Sequence, residues 1–501
     1  MAMTTLPQVL EFIRLQIPHA ELININININ HIDEGILPIL RVHTDTRTLR
    51  PGDLFVALKG ERFDANSVEF LAQAHKAGAV AALAHGGLAA AGLPGIEVPD
   101  TLAALGALAA GWRGQFTLPL IGVTGSNGKT TVTQMIAAIL SAYVGEVAFS
   151  TQGNLNNAIG VPQTLLRLTA AHRIGVVELG MNHPGEIALL AAVARPTVAL
   201  VNNAQREHLE FMHTVQAVAE ENGSVLAALP ADGVAVFPAG DAYTALWRSL
   251  AGARRCITFA AEANEATEAT ETADVKATRA DWCSAAGAWQ VQITTPQGAF
   301  ACTLHIAGRH NVGNALAAAA CALAAGVPLE AIARGLSAFV PVKGRSRALS
   351  VAVGERTITV VDDSYNANPD SVRAAINVLA ALPGPRLLVV GDMGEVGNQG
   401  PEFHAEAGAY ARAAGIEQLF ALGAQSTHAV AAFDSGNARH FDNMALLQAA
   451  VREALPTVGS VLVKGSRFMK MEQVLEDMVD TVNRVSPTVQ GASCNALGAP
   501  C

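Results

Sequence analysis

Gly122-Val123-Thr124-Gly125-Ser126-Asn127-Gly128-Lys129-Thr130-Thr131 is the stretch on which the fold of this chain turns. Upstream of it, residues 118–123 form a short apolar run. Downstream, Val132, Met135, Ile136, Ile139, Leu140 and Tyr143 recur at helical spacing, so the stretch joins a strand to a helix. Gly125 and Gly128 let the backbone curl until successive N–H groups point inward, and the helix start adds partial positive charge. Phosphate oxygens are the natural guest. Lys129 is placed to meet the terminal phosphates and the Thr130 hydroxyl to ligate Mg²⁺, while Ser126, Asn127 and Thr131 complete an ATP-binding loop. The generic pattern asks for glycine where Val123 stands, so the loop is a shortened variant that begins at Gly125.

Length and composition set the frame around this loop. At roughly 150 residues per domain, 501 residues suggest about three domains of an α/β enzyme. Apolar stretches near 79–96, 186–201 and 314–327 are interrupted by His, Arg, Gly or Pro, so no membrane span is expected. The N-terminus lacks a basic region followed by an apolar core, which argues against a secretory signal and for the cytoplasm. A net charge of −10 without a dense Lys/Arg run argues against nucleic acid as partner. Cys256, Cys283, Cys302, Cys321, Cys494 and Cys501 show no metal-ligand spacing and read as free thiols.

The motifs divide the chain into residues 1–117, a central part at 118–340 that carries the loop, a second α/β part at 341–487, and a Ser/Gly/Ala/Pro-rich tail at 488–501 that reads as disordered. The Ile/Asn alternation at 23–30 reads as a peripheral strand or loop, and the Glu/Ala/Thr patch at 260–272 as a surface loop. In the central and third parts, apolar strand candidates end in polar residues. These ends are Glu178, Asn202-Asn203, Asp362-Asp363, Gly391-Asp392 and Lys464. Open parallel sheets bind ligands outside the carboxyl ends of their strands, so these clusters are expected to line two facing crevices. Taken singly, Glu178 reads equally well as a helix cap, and His208 as a core or surface histidine. Together, Thr130, Glu178 and His208 supply hydroxyl, carboxylate and imidazole for Mg²⁺ beside phosphates.

Four separated motifs, in order, make the chain similar to the Mur ligases, ATP-dependent amide-forming enzymes of peptidoglycan synthesis. They are residues 124–131, Glu178, Asn202-Asn203 with His208, and Gly308-Arg309-His310-Asn311. Within that family, Phe63-Asp64-Ala65-Asn66, Gly153-Asn154-Leu155-Asn156-Asn157, residues 362–369 and residues 390–395 most resemble the branch that adds D-alanyl-D-alanine to UDP-N-acetylmuramoyl-tripeptide. The resemblance implies a UDP-sugar-binding first domain, a central P-loop-type parallel-sheet ATPase domain, and a Rossmann-like third domain that closes over the crevice. It implies a monomer that uses ATP and Mg²⁺ and forms an acyl phosphate. Catalysis falls to Lys129, Glu178 and His208. His310, Asn311, Arg345 and Asp363 are expected beside the nucleotide. Thr46, Arg47, Asn66, Asn154, Asn157, Asn366, Asn368 and Lys464 are expected beside the other substrates.

Two departures from the family pattern stand out. The usual Asp-x-His is here Asp64-Ala65-Asn66. Many members carry a carbamoylated lysine fourteen residues after the motif histidine, for a second Mg²⁺, and that position here is Asn222. Asparagine cannot be carbamoylated, so a second metal uses water and Glu220 or Glu221, or is held differently. Three other readings remain open on the residues alone. One is a related ligase with another amine, such as diaminopimelate, lysine or the glutamate of a folylpolyglutamate synthase. The second is a regulatory P-loop ATPase. The third is a nicotinamide-dependent dehydrogenase, which the spacing of Gly391, Gly394 and Gly397 does not favour because it departs from GxGxxG.

Overall fold

The computed structural model describes residues 2–23, 37–59, 67–260, 273–283, 286–434 and 436–485. Most of the Ile/Asn alternation, Asp64-Ala65-Asn66, nearly all of the 260–272 patch and the tail lie outside the described residues. Among the described residues no helix is long and apolar enough to cross a membrane.

The first part builds a five-stranded sheet in the order Glu21–Ile23, Gly95–Glu97, Ala81–Ala84, Asp53–Val56 and Arg41–His43, parallel except for its first pair. Pro51 and Gly52 form the expected turn into Asp53–Val56. The helix Thr101–Arg113 leads out of this part, and Arg113 ties it to the next. Its guanidinium is buried and donates to the carbonyls of Ala194 (3.1 Å), Phe116 (2.5 Å), Leu118 (3.3 Å) and Arg195 (3.3 Å).

The central sheet has nine strands, with Leu120–Thr124 between Val198–Val201 and Ile174–Glu178, all parallel. Residues such as Ile121, Val123, Val176 and Leu200 are buried because helices cover both faces. On one face lie the helices Lys129–Val144 and His310–Ala324, whose inward residues include Val132, Met135, Ile136, Ile139 and Leu140. Tyr143 shares their spacing but is exposed in the last turn. The sheet ends in an antiparallel meander, Val275–Cys283, Ala288–Thr295 and Gly298–Leu304. Cys256, Cys302 and Cys321 are free thiols. Cys283 is disulfide-bonded, against the expectation of six free thiols. Pairing follows proximity in space, which cysteine spacing in a long chain does not encode.

The third part is a six-stranded sheet in the order Arg347–Val353, Arg356–Asp363, Ser460–Lys464, Arg386–Gly391, Gln418–Leu422 and Ala438–Phe441, with only the first pair antiparallel. The five polar strand ends therefore fall into two adjacent groups. Glu178 and Asn202 end the central strands on either side of Leu120–Thr124, and Asp363, Lys464 and Gly391 end three neighbouring strands of the third part.

Replacing Arg113 by Leu leaves several buried carbonyls without donors, each costing about 1–3 kcal/mol. Calorimetry of this variant is expected to show the main transition lowered by several degrees. An unshifted transition would show that the linker carbonyls do not depend on Arg113.

Candidate active site

The loop after Leu120–Thr124 is held in shape by close contacts that only glycine permits. Gly125 has φ +131° and Gly128 φ +82°, and a Cβ on Gly128 would lie 2.5 Å from Asn314 Oδ1 and 2.8 Å from Asn202 Nδ2. Neutral amides satisfy the loop. Asn222 Oδ1 accepts from Thr124 Oγ1 (2.5 Å) and from the Gly125 N–H (2.9 Å), while its Nδ2 donates to Val218 O (3.0 Å). Asn202 Nδ2 and Asn203 Nδ2 both donate to Asn127 O (2.8 and 3.0 Å), and Asn203 Oδ1 accepts from the Asn127 N–H (2.8 Å). Asn202 also donates to Asn314 Oδ1 (3.0 Å), whose amide donates to Asn311 Oδ1 (2.8 Å). Asn311, expected beside the nucleotide, is thus buried in the support beneath the loop, and His310 lies against it, with 3.1 Å between His310 Nε2 and Asn311 Nδ2. Ser126 Oγ exchanges hydrogen bonds with the backbone of Gln205 (2.9 and 3.3 Å).

At the mouth of the loop the charged groups gather. Thr130 Oγ1 donates to Glu178 Oε1 (3.2 Å), which also accepts from Asn156 Nδ2 (2.7 Å). The Glu178 backbone N–H is fixed by Thr151 Oγ1 (3.0 Å). A hydroxyl and a buried carboxylate are the hard oxygen donors Mg²⁺ takes alongside phosphate oxygens and water, so Thr130 and Glu178 fit that ion. Among the described residues no three His, Cys, Asp or Glu side chains converge as a metal cluster of their own. Lys129 Nζ donates to Gly125 O (2.6 Å) and Ser126 O (3.2 Å) and pairs with Glu207 at 2.5 Å. The second oxygen of Glu207 is buried without a hydrogen-bond partner among the described residues. His208, expected beside Thr130 and Glu178, is paired instead with Glu395 (2.5 Å) and Glu207 (3.5 Å). Burial alone would depress its pKa, but hydrogen bonds and charge from Glu207 and Glu395 outweigh that and hold it up at about 9. A protonated imidazole has no lone pair for a metal, so His208 ligates one only after exchanging these carboxylates for it. Glu221 caps the helix Glu186–Ala194 through the N–H groups of Gly185 and Ile187, and Glu220 pairs with Gln216, so both carboxylates have work outside the loop.

The third part reaches the loop directly. Arg345 Nη2 donates to Thr130 Oγ1 (3.4 Å), with its guanidinium over the Tyr365 ring at 4.2 Å. Asn368 Nδ2 donates to Asn127 Oδ1 (2.9 Å) while its own Oδ1 caps the helix Pro369–Ala380. Lys464 is buried between Asp363 (2.6 Å) and Asn366 O (2.9 Å), and Asp363 also accepts from Ser346. The side chains of Asp363, Asn368 and Lys464 therefore satisfy one another or the loop, while Asn366 contributes its backbone carbonyl and is itself exposed. In the first part Arg47 forks onto Asp45, in full solvent, and holds that carboxyl down at about 2. Thr46 lies beside it, and Gln163 donates to Thr44 Oγ1 (2.6 Å), joining this region to the central part. Asn157 caps Ile159 and Gly160 through Oδ1, and Asn154 is exposed. Sequence reading missed Asn156, Glu207 and Glu395 as site residues. Asn156 stands inside the quoted Gly153-Asn154-Leu155-Asn156-Asn157 motif, and Glu207 next to His208, so adjacency was the available signal.

Three family models match the chain. They are described as Mur ligase family, catalytic domain (residues 38–113), Mur ligase middle domain (123–322) and Mur ligase, glutamate ligase domain (348–467). The chain is 43% identical over 436 residues to the UDP-N-acetylmuramoyl-tripeptide–D-alanyl-D-alanine ligase of Escherichia coli, covering 87% of this chain and 92% of that protein. It is 35% identical to the ligase of the same name from Haemophilus influenzae, covering 90% and 95%. Among solved structures, MurF from Acinetobacter baumannii superposes with a TM-score of 0.83 at 32% identity, covering 95% of this chain and 99% of that one. MurF ligase from Thermotoga maritima, in complex with ADP, shares the fold with a TM-score of 0.76 at 24% identity, covering 89% and 98%.

Two substitutions test this arrangement. Asn222→Ala strands the Thr124 hydroxyl and the Gly125 N–H in a buried place, at about 1–3 kcal/mol, and the ligand-free protein is expected to melt several degrees lower. An unchanged melting point would show that the loop holds its shape without Asn222. Glu207→Gln removes the anion that is paired with Lys129 in the ligand-free protein and that phosphates have to displace, in a largely buried pair. Calorimetric titration is expected to show ATP bound about fivefold more tightly. Weaker binding would show that Glu207 serves the nucleotide directly.

Proposed function

The chain belongs to the Mur ligase family, and on that footing we propose that it joins D-alanyl-D-alanine to UDP-N-acetylmuramoyl-tripeptide, with ATP converted to ADP and phosphate, in peptidoglycan precursor synthesis. The observation that carries the reaction class is the phosphate loop with Lys129 and Thr130 on one side of the crevice and Arg345 of the third part in contact with Thr130 on the other. The amine's identity rests on the shared name of the relatives.

The chemistry answers a barrier. A carboxylate is a poor electrophile, so the terminal carboxylate of the tripeptide attacks the γ-phosphorus of ATP, ADP leaves, and an acyl phosphate forms. Two anions must approach each other. Lys129, released from Glu207, and the inward N–H groups of the loop offset the charge on the transferring phosphoryl group, and Arg345 adds a cation from the opposite wall. Mg²⁺ held by Thr130 and Glu178 would supply further charge neutralisation there. The dipeptide amine then attacks the acyl carbon, and phosphate leaves from the tetrahedral intermediate. The amine must arrive unprotonated. His208 is paired with Glu207 and Glu395 in the ligand-free protein, so those pairs have to break before its imidazole takes that proton. Water would hydrolyse the acyl phosphate, so the third part has to stay against the loop during the reaction.

Phosphate release with ATP, UDP-N-acetylmuramoyl-tripeptide and each candidate amine tests the proposal. Release is expected with D-alanyl-D-alanine and at background level with diaminopimelate, lysine or glutamate. The reverse preference would remove the assignment, and hydrolysis indifferent to both substrates would favour a regulatory ATPase. Lys129→Ala is expected to lose about a hundredfold or more in turnover, with an unchanged circular dichroism spectrum. Retained turnover would disprove the phosphate role of Lys129.

A further inference from the structure

Residues 205–208, directly after the Asn202-Asn203 strand end, form a strip with two working faces. Gln205 and Glu207 face the phosphate loop, through Asn127 Nδ2 to Gln205 Oε1 (2.6 Å) and Lys129 to Glu207 (2.5 Å). Arg206 and His208 face the third part. The chain bends at Arg206 and again at His208, whose backbone is left-handed, so the side chains of this short stretch reach two bodies at once. On the outer face Arg206 makes the larger set of contacts. Its Nε and Nη2 fork onto Asp370 (3.1 and 2.7 Å), and its backbone N–H donates to the same carboxylate (2.8 Å). Its Nη1 and Nη2 fork onto Glu406 (2.7 and 3.0 Å). The guanidinium also sits 5.3 Å over the ring of Phe403.

We propose that Arg206 is an interdomain positioning residue, which pins the helices Pro369–Ala380 and Gly400–Ala413 of the third domain to the strip that touches Lys129. Its two carboxylates come from two different helices, so its fork fixes orientation as well as distance. The side chains are only partly exposed, 23% for Arg206 and Asp370 and 36% for Glu406, which limits screening by solvent. Asp370 lies in the first turn of its helix behind the Asn368 cap, and Asn368 itself reaches Asn127. The Arg206 grip therefore also holds in place the third-domain asparagine that touches the loop. Loss of the grip sets Arg345 adrift from Thr130 without altering the loop itself. The inference rests on the ligase reading only where turnover is measured, since domain position is measured without substrates.

The test is R206A beside R206K, with D370N/E406Q as an independent way to cut the same contacts. Small-angle scattering of the ligand-free protein is expected to show a larger radius of gyration for R206A and for D370N/E406Q, with R206K between them and the parent. Turnover is expected to fall between about ten- and a hundredfold in R206A, with the Kd for ATP held within about twofold, because misplacement by one ångström has that reach. Adding D370N/E406Q to R206A is expected to cost nothing further. If R206A does not fold, D370N/E406Q carries the same comparison alone. An unchanged radius in the folded variants, or a loss confined to ATP affinity, or an additive loss in the combined variant, overturns the proposal. A larger radius with no turnover of D-alanyl-D-alanine even in the parent would leave the positioning role standing and remove the ligase reading.

Discussion

A loop that must cradle a highly charged phosphate chain needs its own peptide groups fixed before the ligand arrives, and it needs partners that do not compete for the ligand's charge. Here the partners are neutral amides. Asn222 seats Thr124 and Gly125, and Asn202, Asn203 and Asn314 brace Asn127 and the approach to Gly128. Asn202, Asn203 and Asn314 lie where a side chain at 125 or 128 would meet them, so glycine is needed at both positions. The position of Lys129 at the start of its helix follows from that fixed turn, and Glu178 and Arg345 then meet Thr130 one residue further on.

Charge meets the loop at Thr130, through Glu178 and Arg345, and at the Lys129–Glu207 pair. In the ligand-free protein Glu207 occupies the lysine that phosphates would claim, and its second oxygen lies buried and unmatched. A buried carboxylate with an idle oxygen is costly, and it persists because the neighbouring residues of the strip are anchored on both sides. Strip, loop and third domain thus form a single polar unit built on the ends of parallel strands.

Much of this was legible along the chain. The loop, its flanking strand and helix, and the polar strand ends are local patterns, and both the curl at Gly125 and Gly128 and the clustering of strand ends follow from them. What the chain did not reveal was pairing across long separations. Lys464 and Asn368 are expected beside substrate from the family resemblance, and the structure adds partners no local pattern shows: Lys464 pairs with Asp363 on the adjacent strand and Asn368 caps a helix. His208 read as a metal ligand, and its two carboxylate partners include Glu395, distant in sequence. Asn222 was recognised as a departure, but its use as the seat of the loop depends on a helix packed beneath the strand end.

The central claim is that this loop transfers the γ-phosphoryl group of ATP to a substrate carboxylate before any amine takes part. The direct measurement is positional isotope exchange in ATP carrying a heavy oxygen at the β,γ bridge, with UDP-N-acetylmuramoyl-tripeptide present and amine absent. Reversible acyl phosphate formation lets the freed β-phosphoryl group of ADP rotate, so the label is expected to scramble into non-bridging positions only when the tripeptide substrate is supplied. No scrambling with that substrate, or equal scrambling without it, contradicts the account.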